Sequence, residues 1–360
     1  STAASTGAIP SGVGISMKLT VPGDVSITGS INTSNVSFPV NQGTRDNFNL
    51  LGNPYTSYIN SAAFTTTNTT VLTEETIWLW DGTQYVTYNA VSPIEIAPAQ
   101  GFFVEASTNN TVLYSTSNRS HQNTDTFMRQ TPKTSFELFV ENDASKKSTK
   151  VFYVANKTTG FDNGYDSKIF SGVKEDFTIY TELLENNKGK KLAIQTLPNT
   201  NLETMVIPIG LTTEAGKELT FSVSSKNLPE GMDVYLEDRI ANTFTNLSQG
   251  NYKITVKNTS KSTGQFYIHT TSKKLENIPT TQELQNVSIY RSTNNTLTVA
   301  GLQTDKTSVN VYSILGKKVI STELKSTGSH VIQLPKTAVG VYIVELRSSL
   351  GKISKKIILE

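Results

Sequence analysis

Apolar and polar residues alternate along this chain far more often than they recur at helical spacing. Short blocks rich in Val, Ile, Tyr and Phe are separated by Gly, Asn, Asp and Pro, the pattern of many short strands joined by tight turns. In residues 1–125 the strand-like segments are Ser16–Val21, Val25–Ile31, Val36–Val40, Phe48–Leu51, Ile77–Trp80, Tyr85–Tyr88, Ile94–Ile96, Gly101–Glu105 and Thr111–Ser115. Asp81-Gly82 between two of them is a hairpin signal. Residues 132–272 hold a second series: Ser135–Val140, Lys150–Ala155, Lys191–Gln195, Met205–Ile209, Glu218–Val223, Asp233–Asp238, Gly250–Val256 and Gly264–His269. Their spacing is that of a β-sandwich. Only Thr181–Asn186 and Thr280–Leu284 suggest helix, and both are short.

Residues 273–283 are polar and contain Pro279, which marks a linker. Beyond it, residues 284–360 give seven strand-like segments: Val287–Arg291, Thr296–Val299, Ser308–Ser313, Lys318–Glu323, Gly328–Gln333, Gly340–Arg347 and Lys352–Leu359. That density is immunoglobulin-like. The expected class is all-β: two sandwich-like modules, the first of them incomplete at its start, followed by a compact seven-stranded immunoglobulin-like domain.

Composition narrows the chemistry. Without cysteine there is no disulfide framework, no thiolate nucleophile and no Cys-ligated metal. His121, His269 and His330 stand far apart, outside any metal-binding spacing, and no Ser lies in a GxSxG elbow. Of the candidate carboxylate pairs a glycosidase would need, Glu74-Glu75 and Glu237-Asp238 are sequence neighbours that point to opposite faces of a strand, and together with Glu137/Glu141 they read as solvated. No cofactor and no enzymatic activity is expected within these residues. Asp162 and Asp166 bracket an oxygen-rich turn that could hold Ca²⁺ or be an ordinary turn. The Asn-x-Ser/Thr triplets at Asn68, Asn156 and Asn246 are expected by chance in so Asn- and Thr-rich a chain. Trp78 and Trp80 share one face of a strand, and with Tyr85 they could form a sugar-stacking platform or a core.

A net charge of +2 argues against nucleic-acid binding, and no apolar run is long enough for a membrane-spanning helix. The chain opens at Ser1 with no apolar leader, so a processed form or a fragment is expected. The charge is uneven: residues 301–360 carry nine Lys and Arg against four acids, a net +5, leaving −3 for the remainder.

That last segment contains Val309 to Lys317 (VNVYSILGK), Gly328, Ile332-Gln333-Leu334, Gly340 to Val344 (GVYIV) and a Lys-rich end from Gly351 to Glu360. In order, spacing and position these resemble the type A C-terminal sorting domain of the type IX secretion system of Bacteroidota. Segments further upstream (Gly52-Asn53-Pro54-Tyr55, Ile77 to Asp81, Ile96 to Val104 and Val234 to Asp238) resemble β modules that precede such domains in secreted proteins and adhesins. The resemblance implies a secreted or surface protein that reaches the outside through the periplasm and outer membrane. It implies as partners the outer-membrane translocon, a barrel shuttle protein and a surface sorting peptidase that cuts near residues 273–286. The residues it marks for recognition are Gly316, Lys317, Gly328, Gly340, Val341, Tyr342, Lys352, Lys355, Lys356, Ile357, Leu359 and Glu360. The alternatives are a glycan- or partner-binding β module, or the non-catalytic tail of a larger secreted enzyme.

Overall fold

A computed structural model describes residues 8–16, 28–121, 133–185, 189–257, 259–275, 287–293, 296–302, 306–335, 338–348 and 351–359. The expected strand at Ser16–Val21, but for Ser16, lies outside these residues, as do residues 25–27, the Thr280–Leu284 helix and most of the linker; residues 28–31, expected to complete a strand from Val25, are not in one. The protein is all-β, and it divides into two compact units. One comprises Ser1–Thr131 with Asp162–Lys174, and the other Pro132–Phe161 with Glu175–Glu360.

The first unit contains β1 (Val36–Val40), β2 (Phe48–Gly52), β3 (Tyr58–Asn60), α1 (Ser61–Thr67), β4 (Ile77–Trp80), β5 (Tyr85–Tyr88), β6 (Glu95–Ile96), β7 (Gly101–Glu105), β8 (Asn110–Tyr114) and β9 (Arg119–Ser120). They form sheets in the orders β2-β7-β4-β5, β6-β3-β9 and β1-β8. Gly52-Asn53-Pro54-Tyr55 is a bracket. The Asn53 amide donates to the carbonyls of Ser57, Ile96 and Ala97, and the Tyr55 hydroxyl donates to Tyr114 O at 2.6 Å. Helix α1 has no apolar periodicity to announce it. Its start is fixed by the Asn60 side chain, which accepts from Ala63 N at 3.0 Å, and its buried Phe64 stacks on Phe102 and Tyr114.

In the second unit β10 (Thr134–Glu141) and β11 (Lys146–Val154) form a hairpin. The chain then leaves for residues 162–174, which hold β12 (Ser167–Lys168), and returns with β13 (Thr178–Thr181), β14 (Leu192–Pro198), β15 (Val206–Thr213), β16 (Glu218–Lys226), β17 (Asp233–Asp238), β18 (Thr243–Asn246), β19 (Tyr252–Thr255) and β20 (Ser260–Thr271). One sheet runs β18-β17-β20-β15-β13-β14-β11-β10-β16-β19, antiparallel except at β11–β14. It curls onto a single core, where Phe221 of β16 meets Phe266 of β20 with rings 4.8 Å apart. Thr181–Asn186, expected as a short helix, is not one where it is described: Thr181 ends β13, pairing with Leu192 and Ile209, residues 182–185 lie outside any helix or strand, and Asn186 falls outside the described residues.

All seven strands expected near the C-terminus are present: β21 (Ser288–Thr293), β22 (Thr296–Leu302), β23 (Thr307–Ser313), β24 (Lys318–Leu324), β25 (Gly328–Gln333), β26 (Gly340–Ser348) and β27 (Gly351–Leu359). Sheets β21-β22-β25 and β24-β23-β26-β27 enclose one core that includes Val299, Val309, Val311, Val344 and Leu346. Spatially this domain groups with the middle module, and residues 162–174 group with the first unit, so the three linear blocks become two bodies.

Candidate recognition surface

Strand register gathers the marked C-terminal residues. Ser313 pairs with Tyr342, Tyr342 with Ile357, Val341 with Ile358 and Gly340 with Leu359. The 314–317 turn, the start of β26 and the end of β27 therefore occupy one end of the four-stranded sheet. The turn is closed by Ser313 N to Lys317 O at 2.8 Å and by Gly316 N to Ser313 O at 2.9 Å. Gly316 sits at φ +81°, and a Cβ there would meet nothing within 4 Å; glycine is needed for the backbone angle, not for space. The Tyr342 hydroxyl donates to Ala338 O at 2.8 Å and pins the chain entering β26.

This end is apolar and open. Leu315 is 92% exposed, Val339 77%, Ile314 71% and Ile358 58%, beside the exposed Lys317 and Lys318. Isolated surface apolar residues are ordinary, but four at one sheet end are the kind of grouping that marks a contact, although Ile358 also lines a cleft with Glu182 and Tyr290. Ile314, Leu315, Val339 and Ile358 were not singled out from sequence. A Ser-Ile-Leu-Gly turn with two large aliphatics at its corner was the available signal, since turn corners are ordinarily polar.

Other marked residues lie elsewhere or are occupied. Tyr342 and Ile357 are buried in the domain core. Lys355 and Lys356 are exposed on the middle of β27, an edge strand. Lys352 lies about 23 Å along β27 from Leu359 at the usual strand rise, and its ammonium is bound to Glu345 at 2.6 Å. Gly328, at φ +95°, opens β25 in the other sheet. The side chains of Leu359 and Glu360 fall outside the described residues.

The remaining candidates resolve differently. Trp78 is fully buried, its indole N–H donating to Lys168 O at 3.1 Å, while Trp80 is 53% exposed and lies 5.0 Å from the half-buried Tyr85 ring. Phe170 stacks on Tyr85 at 4.0 Å and covers much of that face. The pair of tryptophans is therefore not one platform: the first is core and the second is surface. At the turn bracketed by Asp162 and Asp166, Asp166 is buried and its Oδ2 accepts from Asp162 N at 2.6 Å. Among the described residues no three carboxylates or histidines converge as metal ligands would. The Asn68 amide is buried and donates to Phe64 O and Leu113 O, which keeps that triplet from any glycan.

Of the acidic residues expected on solvated faces, Glu74, Glu237 and Asp238 are in fact buried, while Glu75 is half-buried. Glu74 is 1% exposed against Lys168 Nζ at 3.5 Å, and Lys168 also holds Glu105 at 2.7 Å. Glu237 lies between Arg239 Nε at 3.0 Å and His269 Nε2 at 2.8 Å, with Arg239 over the Tyr267 ring. Burial pushes the Glu237 pKa up, but the His269 hydrogen bond and the Arg239 charge outweigh it and hold the carboxyl below its usual range. Asp238 accepts from Tyr252 at 2.8 Å and from Gln265 at 3.0 Å. Sequence reading missed these because Lys168, His269, Tyr252 and Gln265 lie on other strands.

Residues 81–269, just over half of the chain, match the family described as Domain of unknown function (DUF8693). Residues 291–360 match the Secretion system C-terminal sorting domain. No curated protein matches the chain. A solved polysaccharide lyase aligns at 10% identity over 63% of this chain and 39% of its own, with a TM-score of 0.17, too low to carry an argument. The chain spans about two fifths of that structure's length. The chain thus belongs to the DUF8693 family and, by its sorting domain, is a cargo protein of the type IX secretion system, destined for the cell surface or the medium.

Proposed function

We propose that residues 287–360 address the protein to the outer-membrane translocon and its barrel shuttle through the apolar end built from Ile314, Leu315, Val339 and Ile358, flanked by Lys317 and Lys318. The observation that carries this reading is the meeting of the 314–317 turn, the start of β26 and the end of β27 at that end, with large aliphatic side chains left in water. An apolar tip supplies binding energy by burial, and adjacent cations steer it toward an acidic surface. The edge strand β27 offers backbone groups for pairing with another sheet. A surface peptidase then cuts before β21, and the two preceding β modules act as a non-catalytic surface or adhesive region.

The test is secretion by a type IX-competent bacterium of a reporter fused to residues 273–360, with and without Gly340–Glu360. The intact fusion is expected outside and the truncated one in the periplasm. Retention of the folded intact fusion inside the cell would sink the proposal.

A second reading, glycan binding by the first unit, draws on the exposed Trp80 beside Tyr85. Loss of retention on an immobilised-glycan array by Trp80→Ala, with stability unchanged, would favour it.

A further inference from the structure

The sorting domain is joined to the middle module by more than the chain. Two β-bulges face each other where β20 crosses β22 and β25. On β20, Phe266 pairs with Ile209 and Ser262 with Leu211, so residues 263–265 stand opposite Gly210 alone. On β22, Val299 pairs with His330 and Leu302 with Gly328, so Ala300 and Gly301 stand opposite Ser329 alone. Bulges take extra residues out of the ladder and re-aim them. Here both aim at the same junction. Gly264 is at φ +124° and Gly301 at φ +86°, angles open to glycine. A Cβ at residue 264 would stand 2.6 Å from Ala300 Cβ and 2.8 Å from Gly301 N, closer than real atoms approach. The two backbones are therefore in direct contact.

Polar groups complete the junction. Ser329 Oγ donates to Thr263 O, Thr263 Oγ1 and the Tyr290 hydroxyl share a hydrogen bond at 2.6 Å, and the Tyr267 and Ser288 hydroxyls lie 3.3 Å apart. Thr263 also donates to the buried Glu182 at 3.3 Å. Burial pushes the Tyr290 hydroxyl's pKa far up, so it stays a donor throughout the accessible pH range. Clefts of about 320 and 630 Å³ flank this contact, while Leu315 and Ile314 stay exposed with the domain docked.

We infer that the sorting domain and the middle module form a preorganised non-covalent complex through these bulges. Breaking the chain between residues 276 and 286 then leaves the sorting domain bound, and its release needs a separate undocking step. That consequence for release rests on the export reading above; the docking does not.

The experiment uses the full chain with a specific protease site placed within residues 276–286. After complete cleavage at low micromolar concentration, the two fragments are expected to co-elute on size-exclusion chromatography. Gly264→Val is expected to separate them, as is the milder pair Tyr290→Phe with Ser329→Ala, which weakens association at least about tenfold while the circular dichroism of the uncut chain stays unchanged. Separation of the wild-type fragments overturns the inference. So does co-elution that survives both variants, since the contact would then lie elsewhere. The reporter assay reads only export, so failure of either idea leaves the other measurable.

Discussion

At the scale of single residues, several positions are set by what stands opposite them. Gly210 packs beneath the buried Tyr180 ring, and a Cβ there would come within 2.6 Å of Cδ2. Gly210→Ala forces the ring or the strand to move, and overpacking of this kind costs about 1–3 kcal/mol; urea unfolding should show a lowered midpoint. Glu237 makes a pH prediction. Its carboxyl pKa is depressed in the folded state by His269 and Arg239, so its contribution is present above the unfolded value of 4.5 and is lost as pH falls through and below it. Glu237→Gln should therefore flatten the fall in melting temperature on acidification below pH 4.5; an unchanged slope would show that the triad adds nothing to acid stability.

At the scale of elements, residues 162–174 are an excursion held by specific bonds within the first unit. Asn89 donates to Tyr165 O at 2.6 Å, the Ala90 amide to Gly164 O at 2.9 Å, and the hydroxyls of Thr76 and Ser167 lie 2.7 Å apart. Lys168 is the central fastening, because it neutralises the buried Glu74. Lys168→Met leaves that carboxylate buried without its cation, and breaking such a pair typically costs about 3–5 kcal/mol. Glu74→Gln in the same background should recover part of the loss, which a double-mutant cycle by thermal melting reads directly. The β26–β27 hairpin carries its own acid sensitivity. The Glu345 carboxyl is held down to about 2 by Arg347 at 2.7 Å and Lys352 at 2.6 Å. Its contribution is present above 4.5 and lost as pH falls toward 2, and amide protection factors across the hairpin, taken relative to the intrinsic rate at each pH, should fall over that window in the wild type and less so in Glu345→Gln.

At the scale of the whole molecule, the exposed end of the sorting domain separates stability from export. Ile314 and Leu315 bury little in this chain, so Ile314→Asp with Leu315→Asp should shift stability by no more than about 0.5 kcal/mol. The same pair should abolish secretion of the full-length protein and leave it folded in the periplasm. Secretion at wild-type levels would move recognition away from the tip, with the exposed Lys355–Lys356 stretch of β27 the next surface to examine.

How much of this was legible beforehand follows from the range of each signal. Period-two alternation and turn residues are local, so the all-β class, the seven C-terminal strands and the Asp81-Gly82 hairpin could be read from the sequence itself. The order and spacing of LGK, GVYIV and the Lys-rich end sufficed to mark a sorting domain. Helix α1 was invisible because Asn60 capping and Phe64 burial form it, with no apolar stripe to announce it. Trp78 and Trp80 look equivalent in sequence, yet one is core and the other surface, because Phe170, arriving from residues 162–174, covers only part of their face. Pairing of Glu237 with His269 and of Glu74 with Lys168, the meeting of the 314–317 turn with the start of β26 and the end of β27, and the facing bulges at Gly264 and Gly301 all join residues distant in sequence. Only the tertiary structure decided them, because strand order and register set which distant side chains meet.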